Sequence, residues 1–105
     1  MQIFINSDSS LTTDQRTIEW SQMTVSSTLV RFADRLTRIE LHVSDVNGIK
    51  RGERDKRCLL EARPAGQDPV AVTSVSSSLS TAVKSAVKKM ERLLETRFSR
   101  QTKPA

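Results

Sequence analysis

The chain has no tyrosine, one tryptophan and three phenylalanines in 105 residues. Aromatic rings are the platforms on which proteins stack single-stranded bases. Three phenylalanines at mainly core positions leave few such platforms, so base-by-base reading of single-stranded RNA is disfavoured. Glycine is equally scarce, at three. A glycine-rich loop around nucleotide phosphates cannot be assembled from so few. A single cysteine, Cys58, excludes an internal disulfide framework and fits a reducing compartment. No apolar run approaches the roughly 20 residues of a membrane span. The opening MQIFINSDSS has neither a basic n-region nor a long apolar h-region, so no secretion signal is expected and the chain reads as cytoplasmic. There is one histidine, His42, and no Cys-x-x-Cys, His-Glu-x-x-His or Gly-x-Ser-x-Gly motif. A lone histidine without neighbouring ligands reads as a surface residue. No enzymatic activity, metal, cofactor or small-molecule substrate is expected.

What is present suits one soluble domain. Hydrophobic residues make up 36% and charged residues 28%, ordinary values for a globular protein. A chain of this length buries roughly 65% of its unfolded surface, enough for one core without staples. The net charge of +5 is unevenly placed. Residues 1–81 balance at ten Lys/Arg and ten Asp/Glu, while residues 82–105 hold seven cations against Glu91 and Glu95. The whole excess sits in the last segment, which bears on partners rather than on fold.

The periodicities divide the chain. Gln2–Asn6 is a short β-prone run. Thr12 and Gln15 match a capping box, so a helix should start near them. Ile18, Val25, Leu29, Phe32 and Leu36 then share one helical face, with a weak point expected in the Thr/Ser-rich stretch 24–28. From Thr37 the period becomes two. Ile39, Leu41 and Val43 face one way, and Arg38, Glu40, His42 and Ser44 the other, as in a half-buried strand. Asn47-Gly48 signals a turn, and a polar loop follows. Lys56–Arg63 and Val70–Val75 read as further strands, antiparallel neighbours joined by short turns. Ser76, Ser77 and Ser78 are N-cap candidates for a last helix, in which Leu79, Val83, Ala86, Val87, Met90, Leu93 and Leu94 form one apolar stripe. The order β-α-β-β-β-α predicts an α+β two-layer sandwich, with both helices on one face of a four-stranded sheet. Residues 1–100 form the domain and 101–105 a disordered tail.

Several residues could carry chemistry. Cys58 alternates with Leu60 and Ala62, so a small buried hydrophobe is the expected role. Glu40 and Glu61 can meet across neighbouring strands, where pairing with nearby basic residues is expected. Trp20, off the main helical face, reads as a partial edge contact in preference to an exposed anchor for a partner. The strongest signal is the last helix. Lys84, Lys88 and Arg92 are four residues apart and Lys89 joins their side, away from the stripe. Glu91 and Glu95 stand at helical spacing to pair with Lys88 and Arg92. Membrane adsorption would need the apolar stripe that the sheet requires, so it is disfavoured. Polyanion binding needs only the exposed cations. A loop containing Lys50, Arg51 and Arg54 adds a second basic cluster, and Arg31, Arg35 and Arg38 around the end of the first helix add a third. Separate patches on a rigid domain suit shape and phosphate recognition of a structured RNA.

Whole-chain features carry a family resemblance. Met1–Ile5, Leu29–Val43, Cys58–Arg63, Val70–Val72 and Ala82–Met90 together resemble the ribosome hibernation-promoting factor and ribosome-associated inhibitor family, also called sigma-54 modulation proteins. The resemblance implies a fold like that of double-stranded-RNA-binding domains. It also implies binding to small-subunit 16S rRNA, where tRNA and mRNA sites would be blocked and idle ribosomes silenced. By position, Lys84, Lys88, Lys89 and Arg92 match the family's basic second helix, and Arg31 and Arg35 the basic end of helix one. The segment Ser78–Lys84 departs from the family pattern by lacking an aromatic and acids. The alternative reading is a protein-interaction or regulatory module that keeps the fold without binding ribosomes.

Overall fold

In the computed structural model the described residues are 1–8, 13–47 and 54–102, with the side chains of Asn47, Arg54 and residues 100–102 outside the description. The chain runs as β1 (Gln2–Ser7), α1 (Gln15–Leu29), a 3-10 segment (Val30–Arg35), β2 (Leu36–Asn47), β3 (Arg54–Pro64), β4 (Val70–Ser76) and α2 (Leu79–Thr102). The strands form one sheet in the order β1-β2-β3-β4. β1 lies parallel to β2, because α1 carries the chain back before β2 begins; the other two pairs are antiparallel.

The period-two pattern becomes rows across the sheet. Ile3, Ile39, Ala62 and Val70 stand side by side, and Ile5, Leu41, Leu60 and Val72 form the next row. Val43 and Cys58 extend the same face. Ile39, Leu41, Cys58 and Leu60 are fully buried there. Over them lie Val25 and Leu29 of α1, and Ala82, Val83, Ala86, Val87, Met90, Leu94 and Phe98 of α2. α2 crosses β3 and β4, while α1 packs on β1 and against α2. Both helices therefore cover one face, and the α+β two-layer sandwich expected from the pattern is the observed architecture. Burial pushes the Cys58 thiol up to about 11. It stays protonated at neutral pH and acts as a small apolar side chain.

The local details depart from expectation in several places. The cap of α1 is Asp14, whose Oδ1 accepts a hydrogen bond from the Thr17 N–H at 2.9 Å; Thr12 lies outside the described residues. Hydrogen bonding to Thr17 holds the Asp14 carboxyl below its ordinary range. The Thr/Ser stretch 24–28 stays α-helical, anchored by fully buried Val25 and Leu29. Its hydroxyls bond back along the helix, Thr24 Oγ1 to the Trp20 carbonyl at 2.8 Å and Ser27 Oγ to the Thr24 carbonyl at 3.4 Å. The weak point falls later, where Val30–Arg35 tightens into a 3-10 segment. Leu36, expected on the helical face, is buried as the first residue of β2 instead.

The β2–β3 hairpin is longer than the alternation suggested. Pairing continues to Asn47 opposite Arg54, so Arg54, expected in the loop, belongs to the strand that Lys56 was expected to begin. At the other end of β3, the Gln67 N–H donates to the Pro64 carbonyl at 3.2 Å and Gly66 takes φ +71°. That left-handed conformation is what a turn with glycine at its third position requires. The Ser78 carbonyl accepts from Ala82 N at 3.0 Å, opening α2 within the serine run. α2 extends to Thr102, past the boundary expected at residue 100.

Candidate nucleic-acid interface

α2 divides its residues by depth. Val83, Ala86, Val87, Met90 and Leu94 are buried on the sheet side. Lys84, Lys88 and Arg92 are exposed along the opposite flank. A rise of 1.5 Å per residue spaces these three cations about 6 Å apart in a row. The row borders a groove between the helices, lined by Thr24, Ser27 and Thr28 of α1 and by Lys84, Lys88 and Glu91 of α2. Lys84 Nζ stands 6.0 Å from the centroid of the Trp20 ring, at the outer limit of a cation–π contact. Trp20 is partly buried against the core, an edge contact as its helical position suggested.

The other predicted cations are differently engaged. Lys89 is exposed, but its Nζ donates to the Thr73 carbonyl at 2.8 Å, closing part of the β4 edge. Arg31 reaches α2: its Nη2 is 3.2 Å from Glu95 Oε2 and 3.6 Å from Glu91 Oε2, with the guanidinium 4.4 Å from the Phe32 ring centroid. Arg35 stacks 3.9 Å from the Phe98 ring centroid, and Phe98 meets Phe32 at 5.6 Å. Arg31 and Arg35 thus fasten the 3-10 segment to α2. Lys50 and Arg51 lie outside the described residues, and Arg54 stands at the start of β3 with its side chain outside the description.

The acids of α2 correct one expectation. Glu91 and Glu95 turn to Arg31 across the helix pair and not to Lys88 or Arg92 along their own helix. Among the described residues, Lys88 and Arg92 have no acid within ion-pairing distance. The groove also holds the hydroxyl residues Thr24, Ser27 and Thr28, which the sequence marked as a weak stretch of helix and not as part of a site. Their signal was a Ser/Thr run inside an amphipathic helix, which looked only like poor helix propensity. Among the described residues, no helix is long and apolar enough to cross a membrane.

A four-stranded mixed sheet covered on one face by two helices, in the order β-α-β-β-β-α, defines the class. Solved structures share this fold over nearly the whole chain. A ribosomal subunit interface protein from Coxiella burnetii aligns with a TM-score of 0.72 at 15% identity, over 94% of this chain and 99% of that one. The N-terminal domain of Thermus thermophilus Protein Y aligns with a TM-score of 0.68 at 18% identity, over 93% and 99%. At such identities the likeness is one of fold, and it is the fold that the hibernation-factor resemblance implied. No family model matches the chain, and no curated protein matches it in sequence.

Proposed function

We propose that the protein is a ribosome-associated factor that binds small-subunit 16S rRNA through phosphate contacts and inhibits translation by occupying tRNA and mRNA sites. The observation that carries this reading is the row Lys84, Lys88 and Arg92. These cations are exposed, evenly spaced on a helix whose other face is buried, and without acid partners among the described residues. A rigid row of this kind neutralises successive backbone phosphates and releases their counterions, which needs no base stacking. The likeness in fold to a ribosomal subunit interface protein supports the choice of polyanion. Lys89 contributes from the same helix once its side chain leaves the Thr73 carbonyl. Arg31 and Arg35 position α2 and add to the positive field.

Reversing Lys84, Lys88, Lys89 and Arg92 together to Glu tests the assignment. The variant is expected to keep its circular dichroism spectrum and to stop co-sedimenting with 30S subunits. A folded variant that still pellets with ribosomes would remove α2 as the binding face.

A further inference from the structure

The open face of the sheet brings together three metal-ligating side chains that the rRNA reading does not use. β2 and β3 set Glu40 directly opposite Glu61, and His42 follows Glu40 by two residues on the same face. His42 Nε2 lies 3.5 Å from Glu40 Oε2 and 3.8 Å from Glu61 Oε1. One ligand atom from each of the three falls within 4.8 Å of the others. We propose that Glu40, His42 and Glu61 form a binding site for a divalent transition-metal ion, with Zn²⁺ the best fit.

Geometry, charge and donor chemistry converge. Two ligands each about 2.0–2.2 Å from a tetrahedral zinc stand roughly 3.3–3.6 Å apart. The 3.5 Å separation lies in that range and the 3.8 Å one just outside it, and side-chain rotation has to draw the whole set in from its present 4.8 Å span. The backbone positions are fixed by strand pairing, so little has to be ordered for binding. Carboxylates facing each other across strands repel. Arg38 compensates one of them, engaging Glu40 through Oε1 while its guanidinium rests 4.5 Å from the Phe4 ring centroid. The other oxygen, Oε2, is the one turned to His42. Glu61 has no ion-pair partner among the described residues except His42, although Arg63 lines the same concavity. A dication between the carboxylates supplies the missing charge. An imidazole nitrogen beside two carboxylate oxygens favours a first-row transition ion over Ca²⁺ or Mg²⁺, which take oxygen ligands. The partial exposure of all three groups leaves remaining positions to water. Cys58 does not compete, because it is buried on the opposite face.

Calorimetric titration of Zn²⁺ into the metal-stripped, tag-free chain tests the site. One ion per chain is expected to bind, and His42→Ala and Glu61→Gln are each expected to weaken binding by more than about tenfold, the lower end of what losing even an outer-shell partner costs. Circular dichroism checks that each variant is folded. Absence of zinc binding, or variants that bind like the parent, would overturn the site. The parent chain gives a second readout because His42 is its sole histidine. Paramagnetic Co²⁺ should broaden that one set of imidazole proton resonances, and resonances left sharp at saturating cobalt would also overturn it. The site lies on the face of the sheet away from α2, so loss of zinc binding and loss of 30S binding are read separately.

Discussion

Arg31 decides how much of the helix charge is available to a partner. It sits half-exposed on the 3-10 segment and draws both Glu91 and Glu95 toward itself. Exposed ion pairs of this sort stabilise by about 0–1 kcal/mol each, so their weight here is electrostatic and not structural. Holding the acids at the α1 border keeps them from the ends of Lys88 and Arg92. The double variant Glu91→Gln, Glu95→Gln should therefore bind 30S subunits more tightly, with a loss of folding stability no larger than about 2 kcal/mol for the two pairs. A filter-binding isotherm gives the affinity and urea unfolding the stability; weaker 30S binding would show that these acids do not oppose the row. This pairing was not legible in the sequence. Arg31 and Glu95 are separated by 64 positions, whereas helical spacing offers only local partners, and local partners were what the spacing suggested. The Lys89 contact with the Thr73 carbonyl is hidden for the same reason, since nothing in α2 records which strand carbonyl it will overlie.

At the scale of elements, the core rests on matched rows. Leu60 on β3 is fully buried and stands between Leu41 and Val72 on the neighbouring strands, with α2 above. Leu60→Ala removes a buried isopropyl group at a site fixed by two neighbouring strands, so relaxation into the cavity is limited. It should cost about 2–5 kcal/mol, a large share of the 5–15 kcal/mol typical of a domain. The expected sign is a lower urea midpoint with an unchanged slope; a loss below about 1 kcal/mol would contradict the packing described. The strands were legible because alternation in Thr37–Ser44 and in Cys58, Leu60 and Ala62 has one physical cause, a sheet wet on one side. The end of α1 was not. Phe32 and Leu36 continue the spacing of Val25 and Leu29, so a helical period cannot mark where the backbone tightens into a 3-10 segment and turns into β2. The start of α1 at Gln15 falls near where the capping box put it, but the cap is Asp14, a residue type as good at capping as threonine and placed directly before the first helical residue.

The whole molecule has two unlike sides. One is the helical layer, where charge excess, exposure and spacing meet on α2. The other is the open sheet face, where Phe4 and Arg38 stack and Glu40, His42 and Glu61 cluster. The division of charge along the chain was enough to find the first side. The second was legible only in part: alternation let Glu40 and Glu61 meet across neighbouring strands, but His42 read as a lone surface residue until the register placed it beside both. The central claim is that Lys84, Lys88 and Arg92 bind 16S rRNA by neutralising phosphates, and salt dependence reads that number directly. Affinity for 30S subunits is to be measured across a salt series for the parent chain and for the triple variant Lys84→Gln, Lys88→Gln, Arg92→Gln. Each phosphate contact contributes roughly 0.7–0.9 to the logarithmic slope. The variant's slope should accordingly be shallower by about 2–3. Equal slopes for the two proteins would contradict the account.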